Sequence, residues 1–186
     1  MSETQDLSGR PSRARYDLVH AVLERRWRRR RLEAERMMRE VVDELWNAFG
    51  GSPYSWCGFC VGGGAGEGLV LGPRWDKVPS TVPLGGVCGK VFKTGLAVNV
   101  PDVKALDPDF QGRNPECLSK IALPVFDRQG RVWAVFEAES RSPAAFDEMD
   151  KRWLERILKN FRGTSSRSEA KNAAPRGEPG GGRDAG

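Results

Sequence analysis

Residues 119–126 and 132–139 are two apolar-rich runs separated only by Asp127, Arg128, Gln129, Gly130 and Arg131. A short connection carrying glycine between two runs of β-formers specifies an antiparallel hairpin. The chain must therefore build a sheet and find something to cover it. Pro124 cannot donate a ladder hydrogen bond, so its position is predicted to be an edge or a bulge. A second hairpin is predicted from residues 54–61 and Leu69-Val70-Leu71, joined through the glycine-rich stretch 62–68. A short strand at Ser80-Thr81-Val82 and another over 96–100 follow, and a loop runs from Pro101 to Glu116.

Helices are written between these strands. Met38, Val41, Val42, Leu45, Trp46 and Phe49 recur at helical spacing, and Gly50-Gly51-Ser52-Pro53 ends that helix. Gly85-Gly86 and Gly95 bracket a short helix with Val87, Val91 and Phe92 turned inward. Asp147 and Asp150 open a last helix whose stripe is Trp153, Leu154, Ile157, Leu158 and Phe161. The order helix, hairpin, strand, short helix, strand, hairpin, helix implies an α+β fold, an antiparallel sheet with helices packed on one face.

A length of 186 residues suits one domain with tails. Residues 1–12 and 163–186 hold too little apolar surface to offset ordering entropy and are expected to be disordered. Residues 13–32 read as a long basic helical extension and 33–162 as the domain. No stretch approaches the roughly 18 to 20 apolar residues of a membrane span, and the chain opens without a signal-type core, so a cytoplasmic protein is expected. The net charge of +5 is concentrated: residues 13–39 hold ten Arg against Asp17, Glu24, Glu33 and Glu35. Within that segment Arg25, Arg26, Arg28, Arg29, Arg30 and Arg31 flank Trp27. Tyr16, Val19, Leu23 and Trp27 share one helical face, so the helix reads either as a solvated basic surface or as an element docking an anionic partner.

Four cysteines, Cys57, Cys60, Cys88 and Cys117, in a domain able to build a core are expected to be free thiols. Cys57-Gly58-Phe59-Cys60 has C-x-x-C spacing, but residues three apart on a strand face opposite ways. The sole histidine, His20, lies far off in sequence, so no metal site and no cofactor is expected. Glu137 and Glu139 alternate with apolar neighbours and share one strand face, as do Trp56 and Cys60.

Five segments occur in one order: 54–60 (Tyr-Ser-Trp-Cys-Gly-Phe-Cys), 82–89 (Val-Pro-Leu-Gly-Gly-Val-Cys-Gly), 100–103 (Val-Pro-Asp-Val), 119–124 (Ser-Lys-Ile-Ala-Leu-Pro) and 136–140 (Phe-Glu-Ala-Glu-Ser). In that order they resemble GAF domains, specifically the free methionine-R-sulfoxide reductase branch, over about residues 33 to 162. The resemblance implies a six-stranded antiparallel sheet with a ligand pocket on one face and the terminal helices on the other. In that family three cysteines do the chemistry, the thiolate being the nucleophilic form. By motif the attacking position falls on Arg113 and one resolving position on Pro79, leaving Cys88 of the Gly-Val-Cys-Gly motif. The resemblance also places Trp56, Cys60, Lys120, Glu137 and Glu139 on the ligand face, with Lys120 where the family has Glu and the two glutamates where it has Asp.

Three functions are consistent with this reading. The first is a sensory or signalling module, a pseudoenzyme that binds a small polar ligand and reports through its terminal helices, as a homodimer joined by those helices. The second is a reductase of free methionine-R-sulfoxide using Cys88 and Cys117. The third is a scaffold whose arginine helix docks acidic partners.

Overall fold

In the computed structural model, residues 12–28, 32–63, 68–75, 81–82, 86–112 and 114–163 are described. The expected disorder of the tails, apart from Ser12 and Gly163, concerns residues outside this set, as do Arg29, Arg30, Arg31, Pro79 and Arg113.

The chain opens with α1 (Arg13–Trp27), capped by the Ser12 hydroxyl accepting from the Arg15 amide, and α2 (Ala34–Phe49). Then come β1 (Trp56–Gly62), β2 (Leu69–Arg74), the two-residue β3 (Thr81–Val82), α3 (Val87–Thr94) and β4 (Val98–Val100). A 3-10 turn (Val103–Ala105) and a single helical turn, α4 (Pro108–Gln111), occupy the stretch expected to be loop. The fold closes with β5 (Ser119–Phe126), β6 (Val132–Ser140), α5 (Glu148–Leu158) and a 3-10 turn (Lys159–Gly163). The strands form one antiparallel sheet in the order β3-β2-β1-β6-β5-β4.

Strand alternation divides the core in two. Cys57 and Phe59 of β1, Ile121, Leu123 and Val125 of β5, and Ala134, Phe136 and Ala138 of β6 point to one side, where α2 and α5 cover them and α1 packs against those two helices. Aromatic rings knit that layer, Tyr16 to Phe49 at 4.5 Å and Phe49 to Tyr54 at 5.2 Å between centroids. Cys60, Ala122 and Val135 point to the other side and meet Val87, Cys88 and Val91 of α3. The expectation that helices pack on one face is thus corrected: the central strands carry apolar side chains on both faces, so the second face also needs cover, and α3 supplies it.

The apolar stripe of α1 is spent inside the chain. Tyr16, Val19 and Leu23 are buried in the same cluster as α2 and α5, and Trp27 packs on Phe161 and donates to Glu40 at 3.0 Å. That face is therefore not free to dock a membrane or partner. Pro124 pairs with Val135 on β6, two residues beyond Ala122, the last β5 position matched by β4. It has a strand on one side only, which is where a residue without an N–H costs least. A register irregularity follows at Val125 and Phe126.

Candidate ligand site

The face turned toward α3 carries the polar residues. Register places Glu139 between Trp56 of β1 and Lys120 of β5, and Glu137 between Gly58 and Ala122. Because all these positions share one pleat direction, two carboxylates, an ammonium and an indole converge on one patch. Gly58 is required there: a Cβ would come within 2.4 Å of the Arg74 Cβ and 3.0 Å of the Trp56 ring.

Lys120 crosses the patch and is almost fully buried, its Nζ donating to Glu137 Oε1 at 3.1 Å and to Glu139 Oε1 at 3.0 Å. The remaining oxygens are taken as well. Glu137 Oε2 accepts from the Cys88 thiol at 2.7 Å, and Glu139 Oε2 accepts from Asn114 Nδ2 at 2.8 Å. The loop after α4 closes over the ammonium at Gly112, whose φ of +85° suits glycine and where a Cβ would lie 3.1 Å from Lys120 Nζ. Asn114 and Gly112 had no distinguishing signal in the sequence, since both lie in a segment without periodicity.

Charge follows from this geometry. Burial would raise Glu137, but the Lys120 ammonium and the hydrogen bonds from Cys88 and Lys120 outweigh it and hold the carboxyl below its ordinary value. Glu139 is pushed up, by burial and then by the neighbouring Glu137 charge. Burial works against the charged form of Lys120, yet the two carboxylates overcome it and keep the ammonium protonated. With both carboxylates ionised the patch carries one net negative charge, and protonation of Glu139 would make it neutral.

Two of the four cysteines lie side by side on this face. Cys88 Sγ lies 3.5 Å from Cys60 Sγ, while Cys117 Sγ donates to the Ser119 carbonyl at 3.4 Å. The hydrogen bond with Cys60, burial and the Glu137 charge raise Cys88 well above the usual thiol range. Burial and the Glu139 charge push Cys117 up to about 12. Both are thiols at neutral pH, the weakly nucleophilic form. The alternation of β1 turns Cys60 toward α3 and makes it the sulfur beside Cys88, in the cluster that also holds Cys117. Cys57 faces the opposite core and is pushed up to about 12 by burial, so the C-x-x-C pair is split across the sheet. Among the described residues no cluster of His, Cys, Asp or Glu side chains is arranged to hold a metal ion. One donor in the patch remains unspent: Trp56 Nε1 is buried with no hydrogen-bond partner.

An antiparallel sheet layered by terminal helices on one side, with a buried polar cluster between the sheet and a short helix on the other, defines an α+β domain with a site set into its sheet face. The chain belongs to the GAF domain family, which matches residues 33–161. It is 32% identical over 108 residues to a free methionine-R-sulfoxide reductase of Saccharomyces cerevisiae, covering 56% of this chain and 59% of that protein. It is likewise 32% identical over 108 residues to GAF domain-containing protein A of Dictyostelium discoideum, covering 57% of this chain and 66% of that protein. The chain thus spans under two thirds of the length of these relatives. Among solved structures, the free methionine-R-sulfoxide reductase of Neisseria meningitidis in complex with its substrate superposes with a TM-score of 0.68 at 27% identity, over 86% of this chain and 89% of that one. Among the described residues no helix is long and apolar enough to cross a membrane.

Proposed function

We propose that this GAF domain is a sensory or regulatory module that binds a small polar ligand at the Trp56, Cys60, Lys120, Glu137 and Glu139 face and carries out no reduction. The observation that carries this reading is the convergence of a buried ion cluster and an unspent buried indole N–H on one sheet face. A buried donor without a partner costs about 1 to 3 kcal/mol, so a ligand that supplies an acceptor to Trp56 gains by satisfying it. Arg113 at the position of the family's attacking cysteine, together with buried neutral thiols at Cys88 and Cys117, supports loss of catalysis. Output through α1 and α5 fits the packing of α5 on β5 and of α1 on α5, and a homodimer through those helices would carry it onward.

The test is a thermal-shift screen of uncharged polar metabolites against the full chain. A saturable shift lost in Trp56→Phe, and in the double variant Glu137→Gln with Glu139→Gln, is expected. A ligand whose shift survives both would bind elsewhere and remove this face from the site. The similarity to reductases favours a second reading, turnover of free methionine-R-sulfoxide through Cys88 and Cys117. Thioredoxin-coupled NADPH consumption decides it: turnover abolished by Cys88→Ser would establish the enzyme, and its absence in freshly reduced protein would leave the binding module.

A further inference from the structure

Two carboxylates that converge from one strand face make a site for an ammonium group, and in this chain that site has an occupant. Lys120 Nζ sits 3.1 and 3.0 Å from one oxygen each of Glu137 and Glu139. The second oxygen of each already accepts a hydrogen bond, Glu137 from the Cys88 thiol and Glu139 from the Asn114 amide. Every carboxylate oxygen of the pair is therefore engaged by a donor of the chain itself. The Lys120 stem is buried and the Gly112 backbone closes over its end, so the ammonium cannot swing into solvent without carrying four methylenes through packed surroundings. A free ammonium would have to evict a tethered one whose effective concentration is set by its own stem.

We propose that Lys120 is the resident ligand of an ammonium subsite formed by Glu137 and Glu139, so that this face refuses ammonium-bearing molecules, free amino acids included, and takes a ligand without that group. The inference rests on the reading of this face as the ligand site, but Lys120 is its specificity-determining residue whatever the natural ligand is. Cation and carboxylate pair are one strand apart on β5 and β6, which fixes the contact through ladder register rather than through a mobile loop. Eviction would leave the Lys120 ammonium buried without its carboxylate partners, a state that desolvation opposes.

The test removes the tether and supplies its missing part. Lys120→Ala deletes a propylammonium group, so the full-length variant is heated with n-propylammonium chloride and, at matched ionic strength, with tetramethylammonium chloride, which has no N–H. The variant is expected to lose several degrees of Tm and to regain about half or more of that loss, saturably, with propylammonium alone, following the linkage of ligand binding to stability. The wild-type chain is expected to show no saturable shift with propylammonium or with free methionine-R-sulfoxide. Should Lys120→Ala not fold in plain buffer, refolding in propylammonium but not in tetramethylammonium is the same result. A control with Glu137→Gln and Glu139→Gln added to Lys120→Ala is expected to be indifferent to both salts. Equal effects of the two salts on Lys120→Ala, or saturable binding of either ammonium probe to wild type, would overturn the proposal. The propylammonium result does not depend on finding a natural ligand, so failure of the screen above and failure of this test are separate events.

Discussion

At the scale of the residue, the ion cluster sets how the protein responds to substitution. A buried charge left without its partner costs about 3 to 5 kcal/mol, whereas a buried pair or triad replaced by apolar side chains of similar volume is close to neutral. Lys120→Met is thus expected to lower stability by about that amount, because Glu137 and Glu139 then face each other unpaired. Combining it with Glu137→Met and Glu139→Met is expected to recover most of the loss in urea denaturation. If the triple variant were as unstable as Lys120→Met, the loss would not come from leaving the two carboxylates unpaired. The same cluster shows what could be read beforehand. Alternation along 132–139 places Glu137 and Glu139 on one face, and likewise Trp56 and Cys60, without any structure. That Lys120 lies beside Glu139 depends on ladder register, and that Asn114 and Gly112 close the patch depends on the path of an irregular loop. Neither is encoded in periodicity, so the sequence indicates a substituted charge but not that it is internally paired.

At the scale of the element, the start of α5 holds a capping box in an apolar setting. Asp147 accepts from the Met149 and Asp150 amides, and Asp150 Oδ2 accepts from the Asp147 amide at 2.7 Å. Asp150 is buried beneath α1, near the Tyr16 and Tyr54 hydroxyls that meet at 2.8 Å. Burial pushes its carboxyl up to about 7, against the hydrogen bond from Asp147. The folded state therefore holds a proton that the unfolded chain releases near pH 4, the ordinary value for Asp being about 3.9. The stability from this group is complete below that pH and is lost as pH rises through about 7. Asp150→Asn keeps an acceptor for the Asp147 amide and cannot ionise. Its Tm minus that of wild type is expected to increase from pH 5 to pH 8, and a difference constant over that range would show that Asp150 does not titrate there. The acidic start of this helix was visible in the sequence. The raised carboxyl was not, since it comes from α1 lying across it, a contact between segments more than a hundred residues apart.

At the scale of the whole molecule, hairpin grammar and helical stripes were enough to predict the order of elements and the antiparallel sheet, because local spacing dictates them. They left open which side of the sheet α3 covers and where α1 belongs, because those are decisions of packing. Residues 13–32 read from charge as an extension ahead of the domain, and the family match begins at residue 33. Yet Tyr16, Val19 and Leu23 are buried to within a few per cent, in the cluster that also contains Phe49, Tyr54, Leu154 and Phe161. Full burial of such side chains contributes about 1.5 to 3 kcal/mol each. Three of them amount to a sizeable part of the roughly 5 to 15 kcal/mol by which a domain is stable at all. Arg26 adds an ion pair to Glu44 of α2 at 2.7 Å, but with Arg26 half exposed its contribution is small beside the apolar term. A chain beginning at residue 32 is therefore expected to unfold at markedly lower urea concentration than the full chain, with newly exposed Phe49 and Trp153 increasing the binding of a hydrophobic dye. The charge of the arginine run can be tested apart from this by Arg25→Gln with Arg28→Gln, both exposed, which is expected to leave the urea midpoint nearly unchanged. If truncation also left the midpoint unchanged, α1 would be an appendage resting on a domain complete without it. If only truncation lowers it, the domain begins at α1, ahead of the family boundary, and any signal passed through that helix starts from its own core.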